Sequence, residues 1–173
     1  LRAYVGWVGI PNVFDPKKKD WEKEYAELKE LLTEQEYEQA RRTVLNAHYT
    51  PEEIIRLLYK AVGKTGFAGG RVLEPALGIG KFFEALPREW PVDLHAAELD
   101  SISGRIAQLL HPNAKIHIMG YQDVLYPDGF FDASFSNVPF GNYGVADPKY
   151  NTYKWSIHDY FFGKTLDKVR PGG

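Results

Sequence analysis

Arg71-Val72-Leu73-Glu74-Pro75-Ala76-Leu77-Gly78-Ile79-Gly80-Lys81-Phe82 passes from a short apolar strand through two glycines into the start of a helix. Val72 and Leu73 set an extended segment over Arg71 to Glu74, and the pattern after Gly78 predicts a helix from Gly80 to Leu86. Glycines at 78 and 80 let the backbone turn tightly and come close to a bound molecule. Such a corner is where an open parallel sheet holds its ligand. Downstream, strands are predicted at Leu94 to Glu98, Lys115 to Met119 and Phe131 to Ser136, and helices at Ser101 to Leu110 and Ser156 to Val169. This alternation implies right-handed crossovers and an α/β fold, a parallel sheet with helices on both faces.

Upstream the pattern changes. The first fifteen residues are apolar and glycine-punctuated without helical period, as expected of an extended arm that needs another surface. Pro16 to Asn46 is charged and helical, with Trp21, Tyr25, Leu28, Leu31 and Leu32 on one face, and Thr33 with Glu36 forms a capping-box pattern. Another helix opens at Thr50-Pro51-Glu52-Glu53, with Thr50 as cap, Pro51 in the first helical position and Glu53 completing the box. Its apolar positions are Ile54, Ile55, Leu57, Leu58 and Val62. The chain finishes on a helix and Pro171-Gly172-Gly173, where an open α/β sheet ordinarily runs into a further strand, so a piece of a longer protein is expected.

Composition narrows the function classes. A chain of 173 residues can bury one sizeable core. A formal net charge of −2 excludes holding a nucleic acid by bulk electrostatics alone. With no cysteine there is no disulfide, thiolate metal site or thiol nucleophile, which fits a cytoplasmic protein. The five histidines lack ligand spacing, so no metal site is expected.

The strand ends suggest a ligand. Phe83 stands where a dinucleotide fingerprint has its third glycine, and no Lys-Ser or Lys-Thr pair follows, so the loop is not a phosphate cradle. Glu74, just before the glycines, would repel phosphate but suits a cationic amino group. Glu98 ends the second strand, the position that accepts two ribose hydroxyls. Asp123, three residues past Gly120, can accept from an adenine amino group. An adenosine with a cationic amino acid and no phosphate describes S-adenosylmethionine.

Asn137-Val138-Pro139-Phe140 follows the fourth strand. An amide oxygen and a neighbouring carbonyl can grip an exocyclic NH2 while the ring stacks on the base that carries it. Asn142 to Lys154, just beyond, has no period and reads either as a mobile or DNA-facing loop or as ordinary surface.

Over roughly residues 46 to 173 these motifs resemble the N6-adenine DNA methyltransferases whose cofactor motifs precede the catalytic one. Asn46-Ala47-His48-Tyr49-Thr50-Pro51 resembles the Tyr-Thr-Pro segment at the methionine end of the cofactor, Glu74 to Phe82 the glycine loop, and Ala97-Glu98-Leu99-Asp100 the ribose-binding strand end. Gly120-Tyr121-Gln122-Asp123 resembles the adenine-binding segment, and Ser136 to Gly141 the catalytic Asn-Pro-Pro-Tyr/Phe, with Val138 replacing the first proline. The resemblance implies a Rossmann-like S-adenosylmethionine-dependent methyltransferase fold, with residues 1–46 an arm and helical extension and 47–173 an incomplete catalytic domain. It further implies cofactor contacts at Tyr49, Thr50, Glu74, Ala76, Gly78, Gly80, Glu98, Leu99, Asp123 and Asn137, and a catalytic set of Asn137, Pro139 and Phe140 acting on a flipped adenine in DNA. The arm and the ending are similar to methyltransferase domains inside very large helicase-type proteins of phages and mobile elements, so target-recognition and helicase regions are expected as partners in a longer chain. Two alternatives stay open: a protein glutamine N5-methyltransferase, and a non-catalytic scaffold of the same fold.

Overall fold

A computed structural model describes the chain except for Val5, Val8, Ala47 and His48, and except for the side chains of Thr43, Leu45 and Asn46. Four strands form one sheet in the order β3-β2-β1-β4, all parallel: β1 (Gly70–Glu74), β2 (Val92–Glu98), β3 (Lys115–Ile118) and β4 (Ala133–Ser134). Val72, Leu73 and Glu74 are all buried, as expected of a central strand covered on both faces. Successive residues of β2 serve opposite layers. Ala96 packs with Leu77, Phe83 and Ala107 on one side, and Ala97 with Leu73, Tyr121, Phe131 and Tyr160 on the other.

The described residues also form six α-helices: α1 (Glu22–Leu31), α2 (Glu34–Asn46), α3 (Glu52–Lys64), α4 (Lys81–Glu84), α5 (Ser101–Leu110) and α6 (Ile157–Lys168). Asp100 caps α5 by accepting the Ser103 N–H at 2.8 Å. Gly104 lets α5 close on β3, since a Cβ there would meet Ile118 at 2.8 Å. None of the helices among the described residues is long and apolar enough to cross a membrane.

The N-terminal segment has its own core. Val13, Phe14, Tyr37 and Ala40 are buried, with Trp21, Tyr25, Leu28 and Leu32 against them. Leu31, expected on that face, is instead 70% exposed, because α1 ends there and the chain turns into α2. The capping box forms: Thr33 N–H donates to Glu36 at 3.1 Å and Glu36 N–H to the Thr33 hydroxyl at 3.3 Å. The segment is seated on α5, where Gln39 accepts the Ser101 N–H at 3.1 Å and Glu36 pairs with Arg105 at 3.3 Å.

Three expectations are corrected. Pro51, not Thr50, caps α3, without a side-chain cap bond, because its ψ of 141° keeps it extended. α4 spans only Lys81–Glu84: Gly80 is left-handed at φ +86°, and Pro87 bars continuation. β4 keeps only Ala133–Ser134 of the expected six residues. Phe131 bridges to Val169, and beyond Phe135, whose N–H reaches the Leu73 carbonyl, β1 turns into the glycine loop and offers no partner.

On α3, Ile55 and Tyr59 are buried, and the Tyr59 hydroxyl donates to the Phe82 carbonyl at 2.9 Å. The opposite side exposes Ile54, Leu57 and Leu58.

Candidate active site

Because the strands are parallel, their C-terminal ends share one edge, and the candidate residues line up along it in sheet order. Asp123 follows β3, Glu98 ends β2, Glu74 and the glycine loop follow β1, and Asn137 follows β4.

The glycine loop is clamped by the neighbouring strand. Glu98 Oε2 accepts the Gly78 N–H at 2.6 Å, and its Oε1 accepts the Asp100 N–H at 2.7 Å. Gly78 (φ +57°) and Gly80 (φ +86°) are both left-handed, and added methyls would meet the Tyr49 ring at 3.0 Å and the His111 ring at 2.5 Å. Tyr49 thus lies against the loop, with its phenol pKa raised, chiefly by burial. Thr50 is half-buried just before α3, and Ala76 packs on the α6-side core.

The electrostatics are lopsided. Glu74 is 2% exposed, and its Oε2 has no hydrogen-bond partner among the described residues. Burial, then the charge of Glu98, holds its carboxyl well above the usual range. Burial also pushes Glu98 up to about 7, against the lowering effect of its backbone N–H bonds. Neither carboxylate has a salt bridge with a described cation. A cationic ligand group would relieve both, whereas an anion would add repulsion. The site therefore fits a positively charged ligand group. Leu99, beside Glu98, is 53% exposed and offers an apolar surface to a flat ring.

Asp123 lies exposed in a 3-10 turn (Tyr121–Asp123) and accepts from the Gln122 side chain at 2.8 Å. Asn137 and Pro139 are half-buried, while Phe140 is 56% exposed. Val138 packs against the cluster of Leu73, Tyr121 and Phe131, which accounts for an aliphatic side chain there.

The loop after Phe140 is tied down. Asp147 is buried, and its Oδ2 accepts from the Tyr160 hydroxyl at 2.7 Å and from Lys164 Nζ at 3.0 Å. Lys164 also donates to the carbonyls of Tyr121 (2.8 Å) and Gln122 (3.1 Å). One buried ammonium so joins this loop, α6 and the turn that carries Asp123. Burial raises the Asp147 pKa, but the Tyr160 and Lys164 hydrogen bonds outweigh it and leave the group below its ordinary value.

Sequence reasoning missed this network and, although it expected an N-terminal arm, did not predict where the arm packs. Lys81 Nζ donates to the Arg2 carbonyl at 2.9 Å, and Arg2 pairs with Glu84 at 3.1 Å. Tyr4 is held close to Ser103, Asp100 and Glu98; burial first, and then the Asp100 charge, pushes its phenol up to about 12. Ala47 and His48 of the resembling segment lie outside the described residues.

The sheet order, the glycine loop after β1 and the acidic end of β2 define a Rossmann-like methyltransferase fold. No family model matches the chain. Defense against restriction protein B of Escherichia phage P1 is 35% identical over 134 residues, 75% of this chain. The chain spans only 6% of that protein's length. Among solved structures, a candidate S-adenosylmethionine-dependent methyltransferase of Methanococcus maripaludis superposes with a TM-score of 0.52 at 15% identity, over 70% of this chain and 53% of that one. A modification subunit of a candidate type I restriction enzyme from Vibrio vulnificus YJ016 gives 0.54 at 18% identity, over 87% of this chain and 37% of that one.

Proposed function

We propose that the chain binds S-adenosylmethionine across the ends of β1, β2 and β3 and methylates the N6 amino group of an adenine in DNA. The observation that carries this reading is a pair of carboxylates, Glu74 and Glu98, neither paired with a cation among the described residues, around a glycine loop that stands next to Asn137 in sheet order. Support comes also from the 35% identity to a phage protein named for defence against restriction, and from a fold shared with a restriction-enzyme modification subunit.

When bound, S-adenosylmethionine supplies a methyl group already activated on sulfur, so the protein's part is to position and polarise. Glu74 would hold the cofactor's ammonium, Glu98 its ribose hydroxyls and Asp123 its adenine amino group. Tyr49 and Thr50 would border the methionine end, and Ala76, Gly78 and Gly80 would leave room for the backbone to approach. The Asn137 side-chain oxygen and the Pro139 carbonyl accept the two N–H groups of the target amine. This draws its lone pair out of the ring and makes the nitrogen nucleophilic without a strong base. Phe140 stacks on the extruded base; such stacking is worth about 1–3 kcal/mol, comparable to the few kcal/mol of unstacking.

The test is methyl transfer from labelled cofactor to adenine-containing DNA, with a glutamine peptide in parallel. Label in N6-methyladenine supports the reading. Label in the peptide alone assigns the site to protein, and a chain that binds no cofactor reduces it to a scaffold.

A further inference from the structure

Beyond Phe140 the chain builds a second small pocket, of about 260 Å3, lined by Gly144, Val145, Tyr150, Asn151, Lys154 and Trp155 over a floor of Tyr160. It is smaller than the roughly 300–1,000 Å3 clefts that take drug-sized molecules. Trp155 is shared by two near-parallel ring pairs, with Tyr153 at 4.4 Å and 12° and with Tyr150 at 5.9 Å and 26°. The Tyr153 end of this array is 59% exposed.

Between Tyr153 and Trp155 in sequence comes Lys154, the one non-glycine residue with positive φ among those described (φ 51°, ψ 36°). This left-handed residue links the two, whose rings face each other, and its own side chain is exposed and lines the pocket. The floor is fixed, because the Tyr160 hydroxyl bonds to Asp147, which Lys164 holds in turn. The pocket is contiguous with the loop that carries Asn137 and Phe140. A Cβ at Gly141 would touch the Tyr143 ring, and one at Gly144 would lie 3.3 Å from the Trp155 carbonyl.

We propose a nucleotide subsite at the edge of this pocket: one base of a single-stranded nucleic acid stacks on the exposed outer face of Tyr153, whose other face is backed by Trp155, and Lys154, which lines the pocket, meets its phosphate. Parallel aromatic rings accept any flat base, and one adjacent cation matches one phosphate. Asn151, whose Oδ1 accepts the Asp147 N–H at 2.8 Å, offers the NH2 half of its amide to a base edge. A duplex hides its base faces, so the subsite takes a nucleotide already out of the stack, as one beside an extruded target is. Its position next to a target base rests on the function proposed above; base binding itself does not.

Binding of short labelled oligo(dA) and oligo(rA) to the chain tests this, read by anisotropy and by quenching of tryptophan emission. Tyr153→Ala should weaken binding by about 10-fold and Tyr153→Trp should preserve it. Lys154→Gly, which suits the left-handed backbone, should lower the salt slope by about one phosphate contact. Cofactor affinity should stay native in all three variants. Binding of either oligonucleotide in this manner supports the subsite, and the tighter one names its sugar. Native oligonucleotide binding by Tyr153→Ala, or a loss matched by equal loss of cofactor affinity, would overturn it. A chain that binds oligonucleotides through Tyr153 yet transfers no methyl to DNA keeps the subsite and loses the proposed function.

Discussion

Glu98 grips the glycine loop from the neighbouring strand, its Oε2 taking the Gly78 N–H at 2.6 Å. This carboxylate titrates near neutrality, raised from 4.5 to about 7 by burial. Between those two values the folded chain holds a proton that the unfolded chain has released, so stability falls as pH rises through the window. Thermal midpoints should therefore decline between pH 5 and pH 8, and Glu98→Gln should flatten the decline. What slope remains in that variant combines Glu74, raised in the same direction, with His111, whose pKa burial lowers and whose contribution has the opposite sign. Equal slopes in native and variant chains would separate Glu98 from this behaviour.

The same titration governs ligand binding with the opposite sign. A cationic ligand prefers ionised Glu98, so S-adenosylmethionine should bind more tightly at pH 8 than at pH 6. Calorimetry on Glu98→Gln should find weaker binding with less pH dependence, and Asp123→Ala should also bind more weakly. Native affinity in both variants would dismantle the cofactor map.

Asn137→Ala removes an acceptor aimed at the amine as its positive charge develops. By analogy with loss of an oxyanion-hole donor, the methyl-transfer rate should fall by roughly 10²–10³-fold. Cofactor affinity should remain near native, which separates a chemical role from a folding one. An unchanged rate would remove Asn137 from catalysis.

Gly80 and Gly66 make a controlled pair. Both have positive φ, but a methyl at Gly80 would overlap the His111 ring at 2.5 Å, whereas nothing lies within 4 Å at Gly66. Gly66→Ala should cost only backbone strain, about 1 kcal/mol, and Gly80→Ala should cost more and also weaken cofactor binding. Urea unfolding of the two variants gives the comparison, and equal costs would mean that the His111 ring gives way.

Lys164→Met strands the buried Asp147 charge and should destabilise the chain by about 3–5 kcal/mol. Adding Asp147→Asn removes that charge and should recover part of the loss. A double variant less stable than Lys164→Met alone would contradict this account of the pair.

The α/β alternation was legible because buried parallel strands carry local apolar runs such as Val72-Leu73 and Ala96-Ala97, and because Ser101 to Leu110 keeps helical period. Strand-end residues could be placed for the same reason: Glu74 and Glu98 are defined by where a run stops. β4 was overread, since Phe131 looks like its neighbours but bonds to Val169 across the fold. Leu31 has the right spacing for the α1 face, yet the helix ends under it. Tyr4 and the Asp147–Tyr160–Lys164 network had no local signature. Lys164 finds its partners 17 and 43 residues away, a separation that no periodicity encodes.

Helix α3 is a link as well as a cover. On its inner side Tyr59 holds the Phe82 carbonyl, one residue into the helix that the glycine loop feeds; on its outer side Ile54, Leu57 and Leu58 meet water. One side chain, Tyr59, therefore spans the distance between a water-facing apolar surface and the backbone that leaves the glycine loop.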